Sequence, residues 1–182
     1  QFDNTANYKG HYETTGKEIW EQTEGKIDGF ICASGTGGTI AGVSNALKEK
    51  DKNIKIYLSD PKGSCLYHYI KTKEFKSEGN SITEGIGSSR STKNFEKALI
   101  DDAYSIDDTS ALTVLFNLIE QEGLSLGTSS GINVAGAIKL AQELGPNKTI
   151  VTILCDKSDR YQGKLFNKKF LMEKNLPYPK WL

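Results

Sequence analysis

Short apolar runs alternate along this chain with segments in which apolar residues recur at helical spacing. The runs predict buried strands, and the periodic segments predict helices that pack against those strands. The predicted strands are residues 27–33, 54–59, 103–106 and 149–155, of which the last is the clearest. Strands that alternate with helices are typical of an α/β protein. We therefore predict a three-layer fold, an open, mostly parallel twisted sheet with helices on both faces.

Residue types that start and stop helices mark the ends of the predicted helices. The spacing of Thr15 and Glu18 predicts a capping box that opens a helix through about residue 24. Asp107 or Asp108 is expected to cap a helix that ends at Gly123. The remaining predicted helices cover residues 38–49, 66–71, 131–144 and 161–173.

Two glycine-rich turns, Ser34–Thr39 and Gly127–Gly131, each follow a short apolar run and open a helical segment. A helix N-terminus offers unpaired N–H groups and the positive end of the helix dipole, so it attracts phosphate. The first turn therefore predicts a phosphate cradle, and the second presents hydroxyl groups at a helix start. Together they suggest a cofactor with a phosphate at one end and a polar ring atom at the other. Pyridoxal 5′-phosphate (PLP) has this shape.

Each turn also partly matches another known motif. The dinucleotide-binding pattern requires glycine at position 40, where the chain has Ile40, but Asp60 closes the next predicted strand where such folds place a ribose-binding acid. A nucleotide-binding α/β module therefore stays an alternative. The second turn resembles the nucleophile elbow of hydrolases with Ser129 as nucleophile, but no histidine follows it in the chain. Tight packing at the first turn, and helix capping by Ser129, also stay open.

The composition narrows the class of protein. The chain has 182 residues with 23 basic and 23 acidic side chains, so no basic excess predicts a nucleic-acid partner or an anionic membrane surface. No apolar stretch approaches the roughly 20 residues that span a bilayer. The two histidines, His11 and His68, lie in no metal-ligand pattern, so we predict no metal site. Cys32, Cys65 and Cys155 have no CxxC spacing, and we expect an intracellular location, cytoplasmic or mitochondrial.

Several segments in a compatible order and spacing carry a resemblance to a known family. They are Gln1–Asn4 with Ala6-Asn7, Gly16–Thr23, Ser34–Thr39, Glu84–Gly87, Ser129–Gly131 and Asp159–Tyr161. Together these segments are far more specific than any one of them alone. On these residues the chain resembles the PLP-dependent fold type II family, and most closely the cysteine synthases (O-acetylserine sulfhydrylases), over nearly its whole length.

The resemblance implies a role for particular residues. Those that would hold the PLP phosphate are Gly35, Thr36, Gly37, Gly38 and Thr39. Ser129 would bond the pyridine nitrogen, and Gly85 and Gly87 would lie in a loop beside the substrate. The implied reaction expels acetate from O-acetylserine, a small amino-acid substrate, and adds sulfide to make cysteine. The implied assembly is a homodimer. A lyase similar to cystathionine β-synthase or threonine dehydratase is the alternative within the superfamily.

The resemblance also predicts what residues 1–182 lack. The family's Schiff-base lysine, its substrate-carboxylate loop and the asparagine that faces the ring hydroxyl would all precede Gln1, so we assign no catalytic residue here. We expect a single PLP-binding domain, a fragment without its N-terminal domain and inactive alone. Ser88–Ser91 and Lys157 depart from the common family pattern, which leaves the reaction partner open. A non-catalytic member that binds a partner's C-terminal peptide is a further alternative.

Overall fold

A parallel four-stranded sheet forms the centre of the computed structural model, which describes all residues 1–182. The strands are β1 (Gly29–Cys32), β2 (Lys55–Pro61), β3 (Asp102–Ile106) and β4 (Ile150–Val151). Their order across the sheet is β3-β2-β1-β4, and every neighbouring pair is parallel. The predicted α/β class with a parallel sheet is confirmed.

Eight helices and two 3₁₀ turns connect and cover the strands. The helices are α1 (Ala6–Glu13), α2 (Thr15–Gln22), α3 (Gly38–Lys50), α4 (Leu66–Thr72), α5 (Asp108–Glu122), α6 (Thr128–Leu144), α7 (Gln162–Leu165) and α8 (Lys168–Glu173). The 3₁₀ turns are Phe95–Lys97 and Ser158–Tyr161. Asp107 caps α5, because its side chain accepts a hydrogen bond from the amide of Ser110.

The two faces of the sheet are covered by different helices. On one face, Ile40 and Leu47 of α3 pack against Phe30 of β1 in the largest buried cluster. On the other face, Leu140 of α6 packs against Ile31. Successive residues of a strand point to opposite faces, so Phe30 and Ile31 belong to different cores. The result is the three-layer arrangement predicted from the sequence.

The predicted strand over residues 149–155 is wrong in its length. Only Ile150 and Val151 pair with β1, although the run contains four large apolar residues, Ile150, Val151, Ile153 and Leu154. Beyond them, side chains replace the ladder: the Thr152 hydroxyl donates to the carbonyl of Ile31 at 2.6 Å, and the Asn133 amide donates to that of Ile153 at 2.7 Å. The chain remains close to β1 without regular strand hydrogen bonds.

The N-terminal helices also differ from the prediction. Helix α1 has no buried residue and little apolar character, so the pattern of apolar residues does not reveal it. The predicted capping box at Thr15 does not form, because α2 begins at Thr15 itself and has no side-chain cap. Helix α1 lies against α3, where a Cβ on Gly42 would come within 2.5 Å of the Tyr8 carbonyl oxygen. That glycine permits the close approach of the two helices.

The single final helix predicted over residues 161–173 is interrupted. It consists of the second 3₁₀ turn, α7 and α8, and Asn167 starts α8 by accepting a hydrogen bond from the amide of Phe170 at 3.1 Å. Asparagine is a strong helix-capping residue, so its position in the middle of the apolar pattern divides the segment into two helices.

Candidate cofactor site

Helix α6 runs antiparallel to β1 and brings the two glycine-rich turns to one edge of the sheet. Gly29, at the start of β1, lies beside Leu140, and Ile31 lies beside Gly136. Further along, the amide of Ala33 donates to the Asn133 side chain at 2.7 Å. The N-terminus of α6 therefore lies at the carboxyl end of β1, where Ser34–Thr39 begins. In open parallel sheets, ligands bind beyond the carboxyl ends of the strands.

The first turn presents backbone donors that have no partner in the chain backbone. The first helical bond of α3 joins the amide of Ala41 to the carbonyl of Gly37. The amides of Thr36, Gly37, Thr39 and Ile40 make no backbone hydrogen bond. Free amides at the start of a 13-residue helix suit an anionic group.

At two positions of this turn, neighbouring backbone atoms leave no room for a side chain. Gly37 has φ +86°, and a Cβ on it would lie 2.5 Å from the amide nitrogen of Phe95. A Cβ on Gly35 would clash with the carbonyl oxygen of Gly85. The second contact is informative, because it places the predicted substrate loop directly against the predicted phosphate turn.

Helix α1 orients the two threonine hydroxyls of the turn. The side-chain amide of Asn7 donates to Thr36 Oγ1 at 2.9 Å. The Thr39 hydroxyl lies 3.2 Å from Nε2 of His11, whose Nδ1 lies 3.0 Å from the hydroxyl of Thr15. Burial lowers the pKa of His11, which favours the neutral ring at this position. The sequence pattern does not reveal this role of His11, because its partner Thr39 lies 28 residues further along the chain.

The loop that contains Gly85 and Gly87 is fixed at its C-terminal end. The amide of Gly87 donates to the carbonyl of Ser34 at 2.8 Å, which holds the loop against the first glycine-rich turn, Ser34–Thr39. The next residue, Ser88, donates its amide to Ser64 Oγ at 3.0 Å and accepts from the amide of Cys65 at 2.8 Å. Both glycines have positive φ, +78° and +80°, which glycine adopts without strain.

The N-terminal end of this loop is held by a charge pair. Glu84 forms an ion pair and a hydrogen bond with Lys164 of α7, which also donates to the carbonyl of Ile82 at 3.0 Å. The hydrogen bond and charge of Lys164 lower the pKa of Glu84, which favours its charged form. Between the two fixed ends, a Cβ added to Gly85 would meet no atom within 4 Å.

The second turn places Ser129 in the first helical turn of α6, where it is 5% exposed. Gly127 is the N-cap residue, so Ser129 is not the capping serine of this helix. Its neighbour Ser130 accepts a hydrogen bond from the amide of Cys155 at 3.0 Å. The amides of Thr128 and Ser129 make no backbone hydrogen bond, so this helix start also presents free donors.

The segment after β4 supports this second turn. The amide of Gly127 donates to the carbonyl of Asp156 at 2.9 Å, and Leu126 pairs with Lys157 in an antiparallel bridge. The Asp156 carboxylate accepts from the Tyr161 hydroxyl at 2.8 Å. Burial, together with this bond, raises the pKa of Tyr161 to about 12. The Asp159–Tyr161 segment of the resemblance thus stabilises the turn that carries Ser129.

Asp60 lies at the same edge but does not face a ligand. Its side chain is fully buried, and Oδ2 accepts a hydrogen bond from the amide of Tyr67 at 2.8 Å. Burial raises its pKa to about 6, and hydrogen bonds only partly offset this effect. A carboxylate enclosed in this way cannot reach a ribose, so the structure does not support the nucleotide-binding alternative.

A family model described as "Pyridoxal-phosphate dependent enzyme" matches residues 1–156. This chain belongs to the pyridoxal-phosphate-dependent enzyme family. Among similar members, "Cysteine synthase 1" of Neurospora crassa is 46% identical over 97% of this chain and 48% of its own length. "Cysteine synthase" of Dictyostelium discoideum is 44% identical over 96% of this chain and 49% of its own length.

A relative with a different name also matches this chain, and each relative is matched over only part of its own length. "Cystathionine beta-synthase" of Rattus norvegicus is 36% identical over 96% of this chain and 31% of its own length. The chain spans about half the length of the cysteine synthases it matches.

The site fits the cofactor of this PLP-dependent family. The free amides of the first turn suit the phosphate, and each turn contains a buried hydroxyl oxygen without a partner, Ser34 Oγ and Thr128 Oγ1. Buried polar atoms normally have partners, and exceptions often mark a ligand site. None of the residues in either turn is a lysine.

Two further observations concern the other predicted classes of site. No group of three or more histidine, cysteine, aspartate or glutamate side chains is arranged to hold a metal ion. None of the helices is long and apolar enough to cross a membrane.

Proposed function

We propose that this chain is the PLP-binding portion of a cysteine synthase-like enzyme, which replaces the acetate of O-acetylserine with sulfide to make cysteine. The convergence of the two glycine-rich turns at one edge of the sheet carries the proposal. The similarity to cysteine synthases over almost the whole chain supports the same reaction class.

Each part of the site has a role in this proposal. The amides and hydroxyls of Gly35–Thr39 bind the phosphate, and the Ser129 hydroxyl bonds the pyridine nitrogen without forcing it to be protonated. Gly85 and Gly87 lie beside the amino-acid substrate. When bound, PLP supplies an electron-withdrawing ring that stabilises negative charge at the substrate Cα. A neutral serine partner keeps this withdrawal moderate, which favours elimination and replacement at Cβ.

The Schiff-base lysine belongs, in this proposal, to a domain outside residues 1–182. Neither turn contains a lysine, and Lys164 is already engaged by Glu84. Residues 1–182 then act as a single cofactor-binding domain whose catalytic site is completed by that other domain. The whole protein is proposed to be a homodimer, as its resemblance to the family implies.

Cofactor binding and covalent attachment test the proposal separately. The purified chain is titrated with PLP, with and without inorganic phosphate, and then treated with borohydride before peptide mass spectrometry. We expect reversible PLP binding that phosphate competes away, no lysine adduct, and no cysteine formed from O-acetylserine and sulfide. A lysine adduct, or cysteine formation by the chain alone, would contradict the assignment of the lysine to another domain. PLP binding that is insensitive to phosphate would contradict the assigned phosphate turn.

A further inference from the structure

The side chain of Asn133 connects the two glycine-rich turns through hydrogen bonds. Its Oδ1 accepts from the amide of Ala33 at 2.7 Å, and Ala33 directly precedes the first turn. Its Nδ2 donates to the carbonyl of Ile153 at 2.7 Å and lies 3.5 Å from the sulfur of Cys155. Asn133 is 1% exposed, so water does not compete for these bonds.

Asn133 lies four residues after Ser129 on α6, one helical turn along the same face. A shift of its side chain therefore moves the Ser129 turn relative to β1. A second hydrogen bond joins the segment after β4 to α6: the amide of Cys155 donates to Ser130 Oγ at 3.0 Å. Both the carboxyl end of β1 and the segment after β4 are thus fastened to the first two turns of α6.

The other anchors of α6 act elsewhere on the sheet. Ser59 of β2 donates its hydroxyl to the carbonyl of Ile132 at 2.7 Å, and Gly136 allows close packing on Ile31. These contacts hold α6 against the middle of the sheet, but neither reaches the backbone that enters the phosphate turn. Of these anchors, only Asn133 binds the residue next to Ser34.

We propose that Asn133 is a positioning residue that sets the separation between the phosphate turn Gly35–Thr39 and Ser129. This inference rests on the proposed function, because it assumes a cofactor that contacts both turns. Residues that contact a ligand must be held within a fraction of an ångström by supporting hydrogen bonds. A ligand that contacts only one turn does not depend on their separation, whereas a ligand that contacts both does.

Two probes separate positioning from general stability. In the proposed function, inorganic phosphate engages the first turn and PLP engages both turns. We expect Asn133→Ala to weaken PLP binding about tenfold or more, and to change phosphate binding less than about twofold, in titration calorimetry of the 182-residue chain. Asn45→Ala is the matched control, because the Asn45 amide also donates to two carbonyls, Ala41 at 2.8 Å and Lys97 at 2.7 Å, neither of which belongs to either turn. The control should leave both affinities unchanged.

A second variant and a ligand-free measurement keep the test decisive. Asn133→Ser retains a polar group, but its side chain is too short to connect Ala33 with Ile153. This variant replaces the alanine variant if the latter does not fold. Hydrogen exchange of the free protein should show faster exchange at the Ala33 amide in either variant, with unchanged exchange in β2. Unchanged exchange at Ala33, or equal weakening of phosphate and PLP, would overturn the positioning role.

Failure of the proposed function has a different signature. A wild-type chain that binds phosphate but not PLP would contradict the proposed function. The exchange data then test Asn133. Faster exchange confined to the Ala33 amide and the first two turns of α6 supports its connecting role, and faster exchange over the whole sheet contradicts it.

Discussion

At the residue scale, the most unusual group is the buried carboxyl of Asp60. Its ordinary pKa is 3.8, and burial raises the pKa in the folded state to about 6. Because the folded pKa is above the unfolded value, the folded state binds the proton more tightly. The stabilisation from this proton is complete below the unfolded pKa and is lost as the pH rises through about 6.

The first prediction is that Asp60→Asn stabilises the protein above this pH. An asparagine can still accept from the Tyr67 amide and carries no charge, so the free energy of unfolding should rise by up to about 3 kcal/mol at about pH 8. The gain should shrink as the pH falls below about 6. Urea unfolding across this range measures it, with the exposed Asp159→Asn as control. A gain that does not depend on pH would show that the charge is not the cause.

The second prediction concerns Gly37, which combines positive φ with a close neighbour. Gly37→Ala should cost about 1–3 kcal/mol from the backbone conformation alone, and more from the clash with Phe95. It should also abolish phosphate binding, because the turn must move. Gly123→Ala is the matched control, since Gly123 has φ +68° but open space around it. Phosphate titration calorimetry and thermal unfolding distinguish the two, and phosphate binding by Gly37→Ala equal to wild type would contradict the cradle.

At the element scale, the fold was predicted wherever the periodic pattern coincides with burial. Helix α3 and strand β2 are examples, because their apolar residues face a core directly. Helix α1 was missed because none of its residues is buried, and its place is fixed by Gly42 and by polar bonds to the first glycine-rich turn. The shortened β4 was missed because Asn133 and Thr152 replace its ladder, and such long-range partners have no local signal.

Some residues of the candidate site can be predicted from the local sequence, and others cannot. The glycines and hydroxyls of both turns are readable from spacing, because backbone conformation at a helix start is local. The supporting residues His11, Ser64 and Asn133 are not, because each acts across many residues of sequence. A sequence motif thus identifies the residues that face a ligand better than those that hold them in place.

The third prediction concerns the C-terminal end of α6. Glu143 accepts hydrogen bonds from Tyr104 and from Tyr57, the latter at 2.6 Å, and joins α6 to β2 and β3. Because Glu143 is exposed, Glu143→Ala should lower the free energy of unfolding by only about 1–2 kcal/mol. The two tyrosines lower the pKa of Glu143 from 4.5, so its contribution is present above that value and is lost as the pH falls below it.

Urea unfolding at neutral and acidic pH measures this effect. The exposed Glu122→Ala, at the end of α5, is the control and should change stability by less than about 0.5 kcal/mol. A loss for Glu143→Ala that is the same at both pH values would contradict a role for the charged form.

At the scale of the whole molecule, β4 forms an edge of the sheet next to exposed apolar side chains. Leu154, just beyond β4, is 48% exposed, and the strand has only β1 as a neighbour. Edge strands beside apolar surface favour association with another chain. The two-residue length of β4 leaves most of the apolar run 149–155 without strand partners on either side.

The fourth prediction is that the chain self-associates through this edge, with a concentration-dependent sedimentation coefficient. Leu154→Lys should reduce association, because a charge at the edge opposes pairing with a second chain. Met172→Lys on α8 is the matched control, since Met172 is exposed to a similar degree, 54%, but lies away from the sheet. A monomer at high concentration would contradict the prediction. Equal effects of the two substitutions would mean that general apolar exposure, rather than the edge of β4, drives association.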